Sequence, residues 1–517
     1  MRNWHSLYEI LRFPLGVLFA GICMLGIGNL IVNPALSSFY SVTNVYVLAS
    51  GEALMKIGNF LIVNFPLMFL LRIVSRKAGS SVSIISAIAG YVSFLVVTMY
   101  FTTASLPATA YSSILGINLT STSVSYLSGS AHYPLQTGLL ATAAVALITL
   151  SSYSRSRQKS EYDFFAFISK DGYCILRTVI LSILAGLATS YIWPYAVDAI
   201  TVAVDFIAAD STNPINLAVY GMLDRFLSVF NLSTLVRTPF WYGSSGGSWI
   251  NMVGGSVVGD VSIWTQQLSL SNLNGMAGRF ITPYYVLNMF AVPGMIWAIY
   301  SMQTDKFERR RTRLLFIAAT IVSLLTGTLL PLEIMLVLLC PILFLFHLAY
   351  TGVLYGVFQS MQVYLGYNNA STNVLTALPG TLMEFISYIG NSSFYRTLGT
   401  VAAVGAVSFF IYFFFTRFYF NHLALDLFNT GDADRLIKGT IKAVGGIENV
   451  KMTHSSITRL TVSVYDPNKI DVNRLRQMGS IRVYETKAGY SIGYGAASTM
   501  VRKGINKCMR DSVRNVK

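Results

Sequence analysis

Charge is the scarcest thing in this sequence. Of 517 residues only 11% are Asp, Glu, Lys or Arg, against about 25% in an ordinary soluble protein. That shortage excludes a disordered chain, a coiled coil and a soluble multidomain enzyme of usual composition. Cysteine is nearly as rare. Cys23, Cys174, Cys340 and Cys508 are scattered, three of them in apolar runs, so the sequence carries neither a disulfide framework nor a zinc pattern. The five histidines (His5, His132, His347, His422, His454) show no paired-ligand spacing. There is no catalytic triad, P-loop or dinucleotide fingerprint, and no cofactor or metal is expected. What abounds is apolar: 54% of residues are hydrophobic, with a mean hydropathy of +0.56. The net charge of +15 falls mainly in short loops beside apolar segments, where it sets membrane topology rather than nucleic-acid binding.

A membrane-spanning helix needs about 20 mostly apolar residues. Candidates are Pro14–Asn33, Ile57–Ile73, Ser81–Phe101, Gln136–Tyr153, Leu176–Tyr195, Ile281–Tyr300, Leu314–Leu330, Ile334–Val353 and Thr397–Phe415. Asn216–Leu235 is apolar but interrupted and reads as a short or re-entrant element. About ten crossings are expected. The first segment has no small-residue cleavage site after it and reads as an uncleaved span.

Orientation follows from the basic loops. Arg2 and Arg12 precede the first span, Arg72, Arg76 and Lys77 follow the second, and Arg155, Arg157 and Lys159 follow the fourth. The densest run is Lys306 to Arg313, while Thr102–Pro134 contains no Lys, Arg, Asp or Glu. The positive-inside rule places the N-terminus and the basic loops in the cytoplasm and the polar loop outside. A basic loop is alternatively a lipid-headgroup site. Asn118-Leu-Thr120 and Asn391-Ser-Ser393 match a glycosylation pattern.

After about Phe420 hydropathy falls and soluble patterns begin. Asp432 or Asp434 caps a helix that stops at Gly445-Gly446, and Ile457–Tyr465 alternates as a strand. Asp471–Met478 reads as a short helix closed by Gly479. Ser480–Tyr494 reads as a hairpin around Lys487-Ala488-Gly489, with a basic last helix from Ser498. The expected fold is a polytopic α-helical membrane domain with re-entrant elements over residues 1–420, then a small cytoplasmic α+β domain over residues 421–517.

The order of motifs along this layout resembles the glucose-type sugar permeases of the bacterial phosphotransferase system, a IIC membrane domain followed by a IIB domain. Phe167-Ile-Ser-Lys170 and Ile192-Trp193-Pro194 are similar to a loop motif and a span end of that family. Asp224-Arg225-Phe226-Leu227 with Pro239-Phe240-Trp241 resembles its substrate segment, and Thr326 to Glu333 its threonine–glycine…proline–x–glutamate signature. In the tail, Gly445-Gly446-Ile-Glu448-Asn449 and Ile457-Thr458-Arg459-Leu460 sit at the family's IIB spacing.

The sequence departs from the family where phosphoryl chemistry is done. The family's IIB cysteine immediately precedes the Ile-Thr-Arg-Leu run, and here that position is Ser456, with Thr461 in place of a second arginine. A thiolate is a competent nucleophile near neutral pH, whereas an unactivated hydroxyl is weak; only His454 lies close enough in sequence to act as a base. In the membrane part Ser233 and Thr234 replace a histidine pair, and Leu330 replaces a glutamate. The resemblance leaves Glu333, Arg225, Lys170, Ser233 and Thr234 as substrate-binding residues, with Asp224 as a further candidate, and no catalytic residue beyond the degenerate Ser456 and its neighbour Arg459. Each has a plainer alternative: Glu333 a salt bridge to Arg225 or Arg237, Arg225 and Lys170 snorkelling to the interface, Ser456 a loop serine, and Trp241 an interfacial aromatic rather than a sugar-stacking one. His347 reads as a packed core histidine, and Gly243–Gly259 as a flexible loop. The resemblance implies a homodimer in the bacterial cytoplasmic membrane, contacting lipid. It would bind and translocate a sugar, with little or no phosphorylation through its own tail, and a phosphocarrier or a separate IIB or IIA protein is a further candidate partner. A degenerate relative acting as a sugar sensor and an active sugar phosphotransferase are the alternatives.

Overall fold

The computed structural model describes residues 2–33, 40–102, 106–117, 133–158, 169–250, 254–269, 277–304, 306–327, 329–368, 379–423, 433–456, 458–478, 480, 482–486 and 489–514. The Asn118 glycosylation pattern, most of the polar Thr102–Pro134 loop, Phe167, Gly479 and the Lys487-Ala488 turn lie outside them. The chain divides into two compact units: Glu9–Pro283 with Leu348–Pro379, and Met1–Tyr8 with Tyr284–His347 and Gly380–Lys517. We call these the large unit and the tail-bearing unit.

The large unit begins with α1 (Arg2–Val32) and α2 (Val45–Val63), which cross on glycine. A Cβ on Gly28 would lie 2.5 Å from the Gly51 carbonyl oxygen, and one on Gly58 would lie 2.5 Å from that of Gly21. Small residues are what let two backbones meet where lipid supplies no hydrophobic drive. The apolar stretch Ile57–Ile73 is not one span: it breaks at Asn64 before α3 (Phe65–Ala78). Pro66 fits the new helix start, and the Asn64 amide donates to the Phe60 carbonyl while accepting from the Leu115 N–H at 3.0 Å. α4 (Ser81–Phe101) spans as expected, and α5 (Gly138–Ser156) follows. α6 (Lys170–Ala209) runs for 40 residues with Pro194 inside it. α7 (Pro214–Val229) and α8 (Thr234–Trp241) are the interrupted element read from the sequence. The Gly243–Gly259 segment is not simply loose. It pairs β1 (Ser248–Ile250) with β2 (Ser256–Val258) ahead of α9 (Asp260–Ser269), and is closed by a Gly259 N–H to Gly247 carbonyl bond of 3.0 Å.

In the tail-bearing unit the Ile281–Tyr300 stretch is α10 (Thr282–Val286), a π-helical turn at Leu287–Ala291 and α11 (Val292–Ser301), because Pro293 removes a ladder donor. α12 (Lys306–Thr326) carries the basic run at its start. The Ile334–Val353 stretch straddles a second break at Cys340, between α13 (Leu330–Leu339) and α14 (Pro341–Met361). α15 (Leu382–Ser387) is short and α16 (Tyr395–Phe418) long. Six helices among the described residues are long and apolar enough to cross a membrane, and Thr312–Thr326 and Leu330–Leu339 are shorter apolar helices. Three of the apolar stretches expected as single spans are divided, at Asn64, at the π turn and at Cys340.

The tail opens with α17 (Ala433–Ala443) and β3 (Val450–Ser455), then β4 (Leu460–Val464), α18 (Val472–Gln477), β5 (Val483–Thr486), β6 (Gly489–Ile492) and α19 (Ser498–Arg514). The sheet is antiparallel in the order β3-β4-β6-β5. Asp471 caps α18 by accepting from the Arg474 N–H at 2.9 Å. Leu436, Val444, Leu460, Val462, Leu475, Ile492, Val501 and Ile505 form the core. β3 was not expected from the sequence. Its outer edge is met by Thr304, which lies between α11 and α12. The Ser455 N–H donates to Thr304 Oγ1 at 2.8 Å, while the Thr304 N–H and hydroxyl donate to the Ser455 carbonyl at 3.1 and 3.2 Å. An open strand edge is thereby covered. Thr304→Val keeps the shape and removes both hydroxyl bonds, at about 1 kcal/mol each. Amide exchange at Ser455 and its β3 neighbours is expected to quicken by roughly 30-fold. Unchanged protection would show that the contact holds nothing in place.

Candidate substrate site

In the large unit the polar residues gather where α7 breaks before α8. Asn231 takes a left-handed φ of 61°, and the Leu232 N–H returns to the Leu227 carbonyl at 3.0 Å, which ends α7. The turn leading into α5 holds this break open. Gln136 accepts from the Thr234 hydroxyl at 2.7 Å and donates to the Asn231 carbonyl at 3.2 Å, and the Leu139 N–H donates to the Phe230 carbonyl at 3.1 Å. Gly138, with φ 55°, makes this approach possible, since a Cβ there would sit 2.0 Å from the Phe230 oxygen. Ser233 stands at the N-cap of α8, half-buried, and its hydroxyl makes no hydrogen bond among the described residues. It is free to meet a ligand. Thr234 is already committed to Gln136.

Behind the break, Asp224 is fully buried and shared by two arginines. Arg225 Nη2 lies 2.7 Å and its Nε 3.0 Å from Asp224 Oδ2, while Arg237 Nε lies 2.5 Å from Oδ1. Arg225 is thus buried beside its own neighbour's carboxylate rather than snorkelling. The Arg237 guanidinium also lies 5.5 Å from the Trp241 ring centroid. Trp241 is only 1% exposed and donates from Nε1 to the Tyr220 hydroxyl at 2.9 Å. It belongs to a core with Tyr220, Phe240 and Phe280, so neither a sugar-stacking face nor an interfacial position describes it. Lys170 is the first residue of α6 and half-buried.

Glu333 lies in the tail-bearing unit. α12 ends at Thr326, Gly327 takes a φ of 63°, and α13 starts at Leu330, so Glu333 falls in its first turn. Carboxylates are favoured there by the helix dipole. Glu333 is fully buried, and its Oε1 lies 3.3 Å from His347 Nε2, while His347 Nδ1 lies 2.8 Å from the Tyr412 hydroxyl. An ionised Glu333 only accepts, so in that state Nε2–H donates to it and, on a neutral ring, Nδ1 accepts from Tyr412. The Glu333–His347–Tyr412 line was not read from the sequence, because His347 follows Glu333 by fourteen residues across the Cys340 break.

In the tail, Ser456 is half-buried in the turn between β3 and β4, where its N–H donates to the Arg459 carbonyl at 2.9 Å. No hydrogen bond joins it to His454, which sits opposite Thr461 in the β3–β4 register. Arg459 is exposed and lies 5.6 Å from the Tyr484 ring centroid.

The family described as the phosphotransferase system EIIC matches residues 9–352. A glucose-specific EIICBA component of the phosphotransferase system from Staphylococcus saprophyticus is 24% identical over 524 residues, covering 98% of this chain and 72% of that protein. A glucoside-specific EIICBA component from Staphylococcus carnosus is 25% identical over 532 residues, covering 97% and 72%. Among solved structures, the transporter that is the IIC component of the N,N'-diacetylchitobiose-specific phosphotransferase system aligns over 83% of this chain and 96% of its own, at 14% identity and a TM-score of 0.34.

Proposed function

The chain belongs to the phosphotransferase-system EIIC family, and from that premise we propose that it is a glucose-type sugar permease that moves its substrate without phosphorylating it through its own tail. The observation that carries the second half of this reading is Ser456. The position where the resembled family holds a cysteine is a serine here, and its N–H donates to the Arg459 carbonyl. Two polar centres serve the substrate in this reading. At the α7–α8 break, Ser233 offers an unengaged hydroxyl beside Thr234, with Arg225 behind it and Lys170 as a further ligand. In the tail-bearing unit Glu333 accepts sugar hydroxyls, its carboxylate held in place by His347 and Tyr412. Buried ionisable groups at membrane depth are costly and default to functional roles. The protein acts in this reading as a homodimer in the bacterial cytoplasmic membrane, with its N-terminus and tail in the cytoplasm, as the basic loops support.

A second reading, a sugar sensor whose tail reports on the membrane part, draws support from the Thr304–Ser455 contact next to Ser456. Uptake of labelled glucose and glucosides into vesicles containing the purified protein, with no phosphocarrier, separates the two. Saturable uptake is expected, and phosphoenolpyruvate with the general phosphocarriers should leave the tail unlabelled. Sugar binding with no uptake would favour the sensor, and stoichiometric label at Ser456 would restore a phosphotransferase.

A further inference from the structure

We propose that the joint between α16 and α19 is a phosphate-binding corner, built from Arg417, Arg502 and Lys503, that takes the phosphate of an anionic lipid headgroup or a free phosphate. Arg417 stands in the last turn of α16, and the chain continues through a π-helical turn at Tyr419–Leu423. α19 packs against that turn. The basic helix that carries Arg502 and Lys503 is thereby brought to the end of a helix long and apolar enough to cross a membrane.

Arg502 is half-buried, and its Nε is buried with no hydrogen-bond partner. Burial lowers its pKa from the usual guanidinium value. The Lys503 ammonium is lowered too, first by partial desolvation, then by the charges of Arg502 and Arg417. Three cations are thus drawn together, and none of them makes an ion pair among the described residues; Arg417 lies 5.5 Å from the Phe413 ring centroid. Such a grouping is uphill until an anion completes it. A phosphate suits it, because its several oxygens accept from a guanidinium fork and an ammonium at once. Position at the end of a span puts the corner at headgroup height, where basic residues collect anionic lipid.

The test uses the full chain in four conditions: nanodiscs of phosphatidylcholine with or without phosphatidylglycerol, and detergent solution with or without millimolar inorganic phosphate. The readouts are thermal stability and lipid retained in native mass spectra. Phosphatidylglycerol should raise the Tm and stay bound, and retention should fall about fivefold in Lys503→Gln and again in Arg502→Gln. Lys507→Gln, an exposed lysine one turn further along α19, should match the wild type. Stabilisation by phosphatidylglycerol alone identifies a lipid headgroup; stabilisation by inorganic phosphate as well identifies a free phosphate. Because Lys503 is exposed, Lys503→Gln keeps the test open should Arg502→Gln fail to fold. Equal lipid retention and equal phosphate response in wild type and Lys503→Gln would overturn the proposal.

Discussion

Asp224→Asn is expected to destabilise the large unit by about 3–5 kcal/mol, a fall in Tm of roughly 10 °C. The carboxylate is fully buried, accepts twice from Arg225 and twice from Arg237, and its single negative charge is shared between the two. An asparagine keeps the volume but offers one acceptor and no charge, leaving two guanidinium groups close together at low dielectric. Removing one partner of a buried pair costs far more than the pair contributes over an apolar substitute. The check is thermal unfolding of the detergent-purified protein. Arg237→Gln in the same chain should recover part of the loss, because it removes one of the two repelling cations. If Asp224→Asn unfolds within about 1 kcal/mol of the wild type, an ordinary surface-level effect, the carboxylate is not what holds the α7–α8 break together.

Glu333→Gln should lower sugar affinity by about 10- to 100-fold, since a hydrogen bond to a charged group contributes about 1.5–3 kcal/mol. The glutamine carbonyl oxygen can still accept from His347 in place of Glu333 Oε1, so the line of three residues is kept while the charge is removed. Tyr412→Phe, which removes only the outermost hydroxyl, should cost about fivefold, near 1 kcal/mol. Uptake and equilibrium sugar binding, measured beside Tm, separate the roles. Affinity lost at unchanged Tm marks a ligand; Tm lost at unchanged affinity would mean that Glu333 only holds the helices together.

Much of this arrangement was legible in the sequence, and the failures have local causes. Ser81–Phe101 could be read because nothing interrupts its apolar run. α18 could be read because Asp471 caps it, and α19 because its positions alternate on a helical period. Asn64 breaks a span that hydropathy averages over, since one polar residue among many apolar ones barely moves a window mean, although the following Phe65-Pro66 hinted at a restart. β3 was missed because a bulge between Val450 and Met452 spoils its alternation. At the site, Arg225 was recognised as important but not matched to Asp224, because adjacent residues on a helix do not face each other and only a long guanidinium can curl back. Gln136 carried no signal at all: its partner Thr234 is 98 residues away, and such a pair is visible only once the chain is folded.

The length of α6 has a mechanical consequence. Forty residues at about 1.5 Å each make a rod of roughly 60 Å, about twice the thickness of the hydrocarbon layer. Such a rod acts as a lever: a swing of about 10° around its middle carries each tip about 5 Å, one helical turn. Pro194 leaves the Ser190 carbonyl without its ladder donor, which makes that point the natural pivot. A modest flexure at Pro194 is thereby converted into displacement at Lys170, at the far end of the longer arm.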